Sequence, residues 1–276
     1  MGEGERKRLV ALLDSLAGPG NGAGILRKLL VEGVKPGLLA ERISASPALE
    51  SLYKKHRTLD IGVDGVHQAD DARVGLPPPP PGQSFRQRFR RQFRPRLARR
   101  AEGFTAIFDA LAALPDPPLI LETGCLRIPG NWDGDGQSTF MFDAFACAGG
   151  GAVISIDITP DCIESARRAC SSATHLILND SVAALHMLAG LLRRRASLLY
   201  LDSFDVIDHA DPMPSAVHHA LELAAARPLL GPGTIVAVDD YGLNAGGKGM
   251  LLDRFFAAIR AEVLYSGYQK VWRIGG

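Results

Sequence analysis

At 276 residues the chain is long enough for one sizeable α/β core and a smaller accessory region. With 46% hydrophobic and 22% charged residues it has an ordinary globular composition, which excludes a wholly disordered chain. A formal net charge of +1 excludes a uniformly basic nucleic-acid binder, yet eight arginines and no acidic residue fall between Phe85 and Arg100, leaving the remainder mildly acidic.

The N-terminus opens with Gly-Glu-Gly-Glu-Arg-Lys-Arg, unlike a secretory signal, and no apolar run approaches the roughly 20 residues that span a bilayer. No membrane span and a cytoplasmic location are expected. Cys125, Cys147, Cys162 and Cys170 lack zinc-ligand spacing and read as reduced, mostly buried thiols.

In chain order, apolar clusters broken by Gly-Pro-Gly-Asn-Gly and Lys-Pro-Gly suggest short helices over residues 4–57, within a small helical accessory region spanning 1–76. Pro77 to Pro81 favour an extended spacer. Residues 77–114 are read as this linker plus an Arg/Phe-rich helix. There Phe85, Phe89 and Phe93 recur every fourth residue and so share one helical face. The bland expectation is that the phenylalanines pack on the core and the arginines are solvated; an anionic partner is the sharper alternative.

From 115 to 276 strand-length apolar runs alternate with helix-length amphipathic segments, the pattern of a parallel sheet wrapped by helices. Strands are expected at Pro118–Glu122, Ala152–Asp157, His175–Leu178, Leu198–Asp202 and Thr234–Asp239. Helices are expected at Ser138–Ala148, Pro160–Ser171, Ser181–Arg194, Ser215–Ala226 and Gly247–Arg260. Two extended segments, Glu262–Ser266 and Gln269–Ile274, close the chain as a tight antiparallel pair.

The first strand runs into Glu122-Thr123-Gly124, and a glycine-rich loop with Gly134 and Gly136 leads to the helix at Ser138. Ligands of open α/β sheets bind at the carboxyl ends of strands, where glycine admits close backbone approach. The second strand ends in Asp157, a carboxylate able to accept two ribose hydroxyl hydrogens, and the third is followed by Asp180-Ser181 at the place of an adenine edge.

In this order the motifs resemble the class I S-adenosylmethionine-dependent methyltransferases over about 160 residues. The resemblance implies an α/β, Rossmann-like, doubly wound seven-stranded sheet whose last strand is antiparallel. It also implies S-adenosylmethionine bound by Glu122, Thr123, Gly124, Gly134, Gly136, Ser138, Asp157, Asp180 and Ser181. The loop is a departure, because Leu126 to Asp133 intervene before Gly134, so the glycine that meets the methionine moiety is left open. A dinucleotide site would need Gly-x-Gly-x-x-Gly directly after the strand, which is absent.

The fourth and fifth strands end in Asp202 and in Asp239-Asp240, and clustered carboxylates repel unless a cation or protons intervene. This arrangement resembles the metal-dependent O-methyltransferases of the macrocin, mycinamicin and novobiocin-sugar type. It implies Mg2+ (or Mn2+) on Asp202, Asp239 and Asp240 and a small-molecule hydroxyl acceptor. His209, then Asp205, then Asp202 are the candidate catalytic bases; that family's histidine position is taken here by Asp205. Lys248 would meet an acidic substrate group or stay solvated in a flexible loop, His218 and His219 would be surface or packing residues, and Trp132 would lid the pocket.

Three alternatives stay open. They are metal-independent methyl transfer, a non-methylating tailoring or scaffold relative similar to the cephalosporin-hydroxylase family, and nucleic-acid methylation. The last is disfavoured by near-neutral charge and by the lack of an Asn-Pro-Pro-Tyr-like or Pro-Cys motif. The accessory segments are expected to shape the acceptor site or a homo-oligomer interface.

Overall fold

A computed structural model describes residues 68–207 and 211–275. Most of the 1–76 region and His209 therefore lie outside the described residues. The strands are β1 (Leu119–Thr123), β2 (Ala152–Asp157), β3 (Thr174–Leu178), β4 (Leu198–Leu201), β5 (Ile235–Val238), β6 (Glu262–Ser266) and β7 (Lys270–Arg273). They form one sheet in the order β3-β2-β1-β4-β5-β7-β6. The first five are parallel and β7 is antiparallel to both β5 and β6. This is the class I S-adenosylmethionine-dependent methyltransferase fold.

The helices are α1 (Phe85–Arg88), α2 (Ala101–Ala112), the single turn α3 (Trp132–Asp135), α4 (Ser138–Gly149), α5 (Pro160–Ala169), α6 (Ser181–Leu191), α7 (Met213–Ala226) and α8 (Met250–Ala258). A parallel sheet covered on both faces needs apolar residues at successive positions, and the strands supply them. Leu121, Leu199, Leu201, Val236, Val238 and Trp272 face α6, α7 and α8, where Trp272 stacks on Phe256 at 4.6 Å. Ile120, Leu198, Tyr200, Ile235, Ala237 and Val271 face the other layer, with Phe104, Phe108, Phe140 and Ile163.

That second layer absorbs the Arg/Phe segment. Phe89 and Phe93 are buried there, and Phe85 packs on Phe108 and Phe145 at 4.7 and 4.9 Å. The one continuous helix expected from the spacing is not formed: after α1 the chain widens into a π turn over Phe89–Phe93, where Arg94 N–H donates to the Phe89 carbonyl. Pro95 explains the break, since it has no N–H for the Arg91 carbonyl and its ring clashes with a regular turn. The solvated-arginine expectation also needs correction at two positions. Arg88 is buried against Asp71, and Arg100 is buried against Asp239 just after β5.

The expected helix ends shift by one or two residues at α4, α5 and α7 and furthest at two others. The helix beginning at Ser181 stops at Leu191, and the one expected from Gly247 begins at Met250, after an irregular segment, Asn244–Gly249.

Candidate functional site

The switch point of the sheet lies between β1 and β4, whose following helices lie on opposite faces. At the end of β1, Gly124 has φ of 80°, and a Cβ there would stand 2.4 Å from the Asp202 carbonyl oxygen. Only glycine permits that close approach of the two strand ends. Just before it, Glu122 and Thr123 are wholly buried. Ser155 Oγ donates to Glu122 Oε2 at 2.6 Å, while Oε1 has no partner among the described residues. Burial pushes the Glu122 carboxyl up to about 7, with the nearby hydroxyls of Ser138, Ser155 and Thr139 opposing.

At the end of β2, Asp157 accepts from the Cys125 and Thr159 backbone N–H groups at 3.0 and 2.7 Å, which ties the β1 turn to β2. Its carboxyl is raised by burial, with those backbone bonds opposing. At the third strand end Asp180 caps α6 by accepting from Ala183 N–H at 2.8 Å, and Ser181 Oγ lies 3.0 Å from His218 Nε2. His219 is wholly buried, its Nδ1 donating to the Ser215 carbonyl at 2.8 Å, and burial lowers it to about 4. Both histidines are thus packing residues of α7.

The expanded loop is braced from inside. Gln137 Nε2 donates to the Ile128 carbonyl at 3.0 Å, and Gln137 Oε1 accepts from Gly130 N–H at 2.9 Å. Asn131 Oδ1 accepts from Gly134 N–H at 3.2 Å. Trp132 is not a lid. It is buried, donates from Nε1 to the Val74 carbonyl at 2.7 Å and stacks on Phe93 at 5.6 Å. Gly136 ends this turn with φ of 68°, and a Cβ there would press on Arg100 Cδ at 3.0 Å.

The ends of β4 and β5 bring Asp202, Asp239 and Asp240 together, with one oxygen of each within 4.8 Å of the others. Protein cations already lie among them. Arg100 Nε donates to Asp239 Oδ2 at 2.7 Å, and Arg100 also donates to the Asp133 carbonyl at 2.8 Å. Lys248 is wholly buried, with Nζ 2.5 Å from Asp202 Oδ1, 3.1 Å from Asp240 Oδ2 and 3.7 Å from Asp205 Oδ1. The expectation of a solvated lysine in a flexible loop is therefore overturned, because the loop folds tightly onto the Asp239-Asp240 turn.

Tyr268 Oη donates to Asp240 Oδ1, and Asp239 Oδ1 is buried with no partner among the described residues. The charges pull the carboxyls apart. Asp202 is raised, first by burial and then by Asp239 and Asp240, with Lys248 opposing. Burial, the largest influence on Asp240, also acts upward, but Lys248, Tyr268 and Arg100 together hold that carboxyl below the usual range.

Gly124, Gly134, Ser138, Asp157, Asp202, Asp205 and Asp240 line one cavity of about 440 Å³ at the carboxyl ends of the strands. Asp239 lies buried beneath it, whereas Glu122, Thr123, Gly136, Asp180 and Ser181 are outside its lining. Arg127 closes one side, 2.6 Å from Asp205 and 2.9 Å from Asp135. Arg99 stacks over the Tyr268 ring at 3.8 Å and also lines the cavity. Sequence reasoning did not single out Arg100, Arg127 or Tyr268. Three positive-φ residues, Ala245, Gly246 and Gly247, set the course of Lys248, and no periodicity reveals them.

Searches of protein-family models and of curated protein sequences returned no match. Among solved structures the chain is similar to CalS11, a TDP-rhamnose 3'-O-methyltransferase of calicheamicin biosynthesis, at 16% identity and TM-score 0.48, covering 84% of this chain and 96% of that one. It is similar to the MycE methyltransferase of the mycinamycin pathway, solved with Mg and SAH, at 15% identity and TM-score 0.46 over 64% of this chain. The chain spans about half of MycE, 49% of its length. A methyltransferase from Agrobacterium tumefaciens matches at 14% identity and TM-score 0.36, covering 51% of this chain and 45% of that one.

Proposed function

We propose that the chain is an S-adenosylmethionine-dependent O-methyltransferase acting on a hydroxyl of a sugar or other small polar natural product. The observation that carries this reading is the single cavity joining Gly124 and Asp157 on one flank to Asp202, Asp205 and Asp240 on the other. Its size, about 440 Å³, falls in the usual range for small-molecule sites.

The residues of the first flank fit the cofactor. Gly124 opens the backbone where a Cβ would fill the crevice, Asp157 offers lone pairs to a ribose diol, and Ile158, 40% exposed, offers an apolar face beside it. When bound, S-adenosylmethionine supplies a methyl on a sulfonium, so the leaving group is a neutral thioether. Asp202 accepts the hydrogen of the acceptor hydroxyl as that oxygen gains the methyl. Burial raises its carboxyl, which makes it a stronger proton acceptor than a solvated aspartate, and Lys248 at 2.5 Å fixes its orientation. Arg127 holds Asp205 at the mouth, where it meets the acceptor's polar groups. Asp205 and His209 are the other candidate bases.

The divalent ion implied by the resemblance has two observations in its favour, the approach of three carboxylate oxygens within 4.8 Å of one another and an Asp239 Oδ1 that has no partner among the described residues. Against it, Lys248 occupies oxygens of Asp202 and Asp240, and Arg100 and Tyr268 occupy others of the set. As arranged the residues do not fit a three-carboxylate magnesium site.

The test is calorimetric titration of S-adenosylmethionine and S-adenosylhomocysteine into the full chain, followed by labelled methyl transfer to a panel of sugar hydroxyls. Both cofactors should bind. Asp157→Ala should weaken them at least about tenfold, as the loss of charge-assisted hydrogen bonds requires. Asp202→Asn should lower kcat far more than cofactor affinity. Absence of binding by either cofactor would sink the reading.

A further inference from the structure

Three acidic side chains at two neighbouring strand ends require a counter-charge, and the protein supplies one from its own Lys248 side chain. Lys248 enters the cluster from beneath, carried by a segment that no ordinary loop could form. Ala245, Gly246 and Gly247 have φ of 54, 91 and 49°. A Cβ on Gly247 would fall 1.9 Å from the Asp240 carbonyl oxygen, and one on Gly249 would fall 2.6 Å from the Tyr241 ring and 2.9 Å from Val238. The glycines flanking Lys248 thus let the chain lie flat against the Asp239-Asp240-Tyr241 turn. That contact is what brings a wholly buried ammonium to the carboxylates.

An ammonium has three donors, and here it faces three carboxylates: Asp202 at 2.5 Å, Asp240 at 3.1 Å and Asp205 at 3.7 Å. Arg100 serves the remaining one, Asp239, at 2.7 Å. Asp202, Asp239 and Asp240 carry three negative charges when ionised, and Lys248 and Arg100 return two positive ones. A divalent ion would need the same oxygen lone pairs and would stand beside an ammonium that cannot retreat into water, so the two cations exclude each other.

We propose that the Lys248 ammonium is the resident cation of the Asp202/Asp239/Asp240 cluster, standing in the protein where a divalent metal ion was expected. Lys248 acts through the carboxylates it orients, and is in that sense a positioning residue. The consequence for turnover, methyl transfer that does not depend on added metal, rests on the methyltransferase reading. The assignment of the cation does not.

The experiment is a titration of the metal-stripped full chain with Mn2+, free ion being read by electron paramagnetic resonance, for the parent and for Lys248→Met. Methionine keeps most of the side-chain length and removes the charge. The parent should take up no stoichiometric Mn2+, and Lys248→Met should bind one ion at least about tenfold more tightly than the parent. Asp240→Asn in the Lys248→Met background should abolish that gain.

One equivalent bound by the parent, lost on Asp239→Asn, would overturn the proposal. So would a folded Lys248→Met that gains nothing. If circular dichroism shows Lys248→Met to be unfolded, the parent titration together with Lys248→Gln decides the question. Cofactor calorimetry on the same samples keeps the two readings separate, because Mn2+ uptake is measured without S-adenosylmethionine.

Discussion

Among the described residues Glu122 has no counter-ion, and its environment is opposite to that of the aspartate cluster: full burial, one hydroxyl donor to Oε2, and no partner there for Oε1. Its carboxyl is raised from the ordinary 4.5 to about 7, chiefly by burial. Below pH 4.5 folded and unfolded chains both hold the proton. Between there and about 7 the unfolded chain releases it while the folded chain keeps it, so stability falls as pH rises through this window, by about 3 kcal/mol in all. Glu122→Gln should remove this slope, leaving the variant more stable than the parent at about pH 8 and much closer to it at about pH 5. Paired urea unfolding at the two pH values checks this, and parallel losses in parent and variant would defeat it. The residue scale also separates what could be read from what could not. Asp202, Asp239 and Asp240 were legible as neighbours because adjacent parallel strands end at one edge. Arg100 was one of eight arginines in a basic run, and its pairing with Asp239 depends on a contact across 139 positions of chain. Lys248 sits in Gly-Gly-Lys-Gly, which reads as a flexible loop unless the left-handed turn before it is known.

Elements were legible where periodicity and length agreed. The bounds of β2 and β6 match those read from the sequence, and the unbroken apolar runs in β1, β4 and β5 follow from a sheet packed on both faces. The helix α2 went unread because it lies inside a segment dominated by arginine and proline signals. Yet Phe104, Ile107, Phe108 and Leu111 have the 3, 4, 7 spacing of a buried helical face and could have revealed it. The long loop between β1 and α4 was legible as a departure from a compact glycine turn, but not as a rigid one. Its rigidity comes from Trp132, whose indole reaches back to Val74 and stacks on Phe93. Trp132→Ala removes this anchor together with its hydrogen bond. The expected cost is roughly 3–5 kcal/mol in urea unfolding, in line with other buried aromatic truncations. Because Gly134 lines the cavity from the same loop, the variant should also bind S-adenosylmethionine less tightly at temperatures where it remains folded. An unchanged unfolding midpoint would show that the loop is held by Gln137 and Asn131 alone.

On the scale of the whole molecule, the two apolar layers do not divide where composition changes. Val74, Leu76, Phe89, Phe93, Leu97, Phe104, Ile107, Phe108 and Leu111 belong to the same cluster as Ile120, Tyr200, Ala237 and Val271 on the sheet. The proline run and the arginine-rich stretch look like a linker because their surface residues are proline and arginine, whereas the side chains that fix their position are the phenylalanines beneath. A fragment beginning at residue 115 would expose Ile120, Phe140, Phe142, Tyr200 and Val271, and would leave Asp239 buried without Arg100. Losing several aromatic side chains, each worth about 1.5–3 kcal/mol of burial, is comparable with the roughly 5–15 kcal/mol by which a whole domain is stable. A fragment from 68 to 276 keeps both layers and both protein cations of the carboxylate cluster. The 68–276 fragment should therefore unfold cooperatively in urea and bind S-adenosylhomocysteine, and the 115–276 fragment should do neither. Cooperative unfolding of the shorter fragment would show that the sheet and its rear helices suffice as a core, and that residues 68–114 only decorate it.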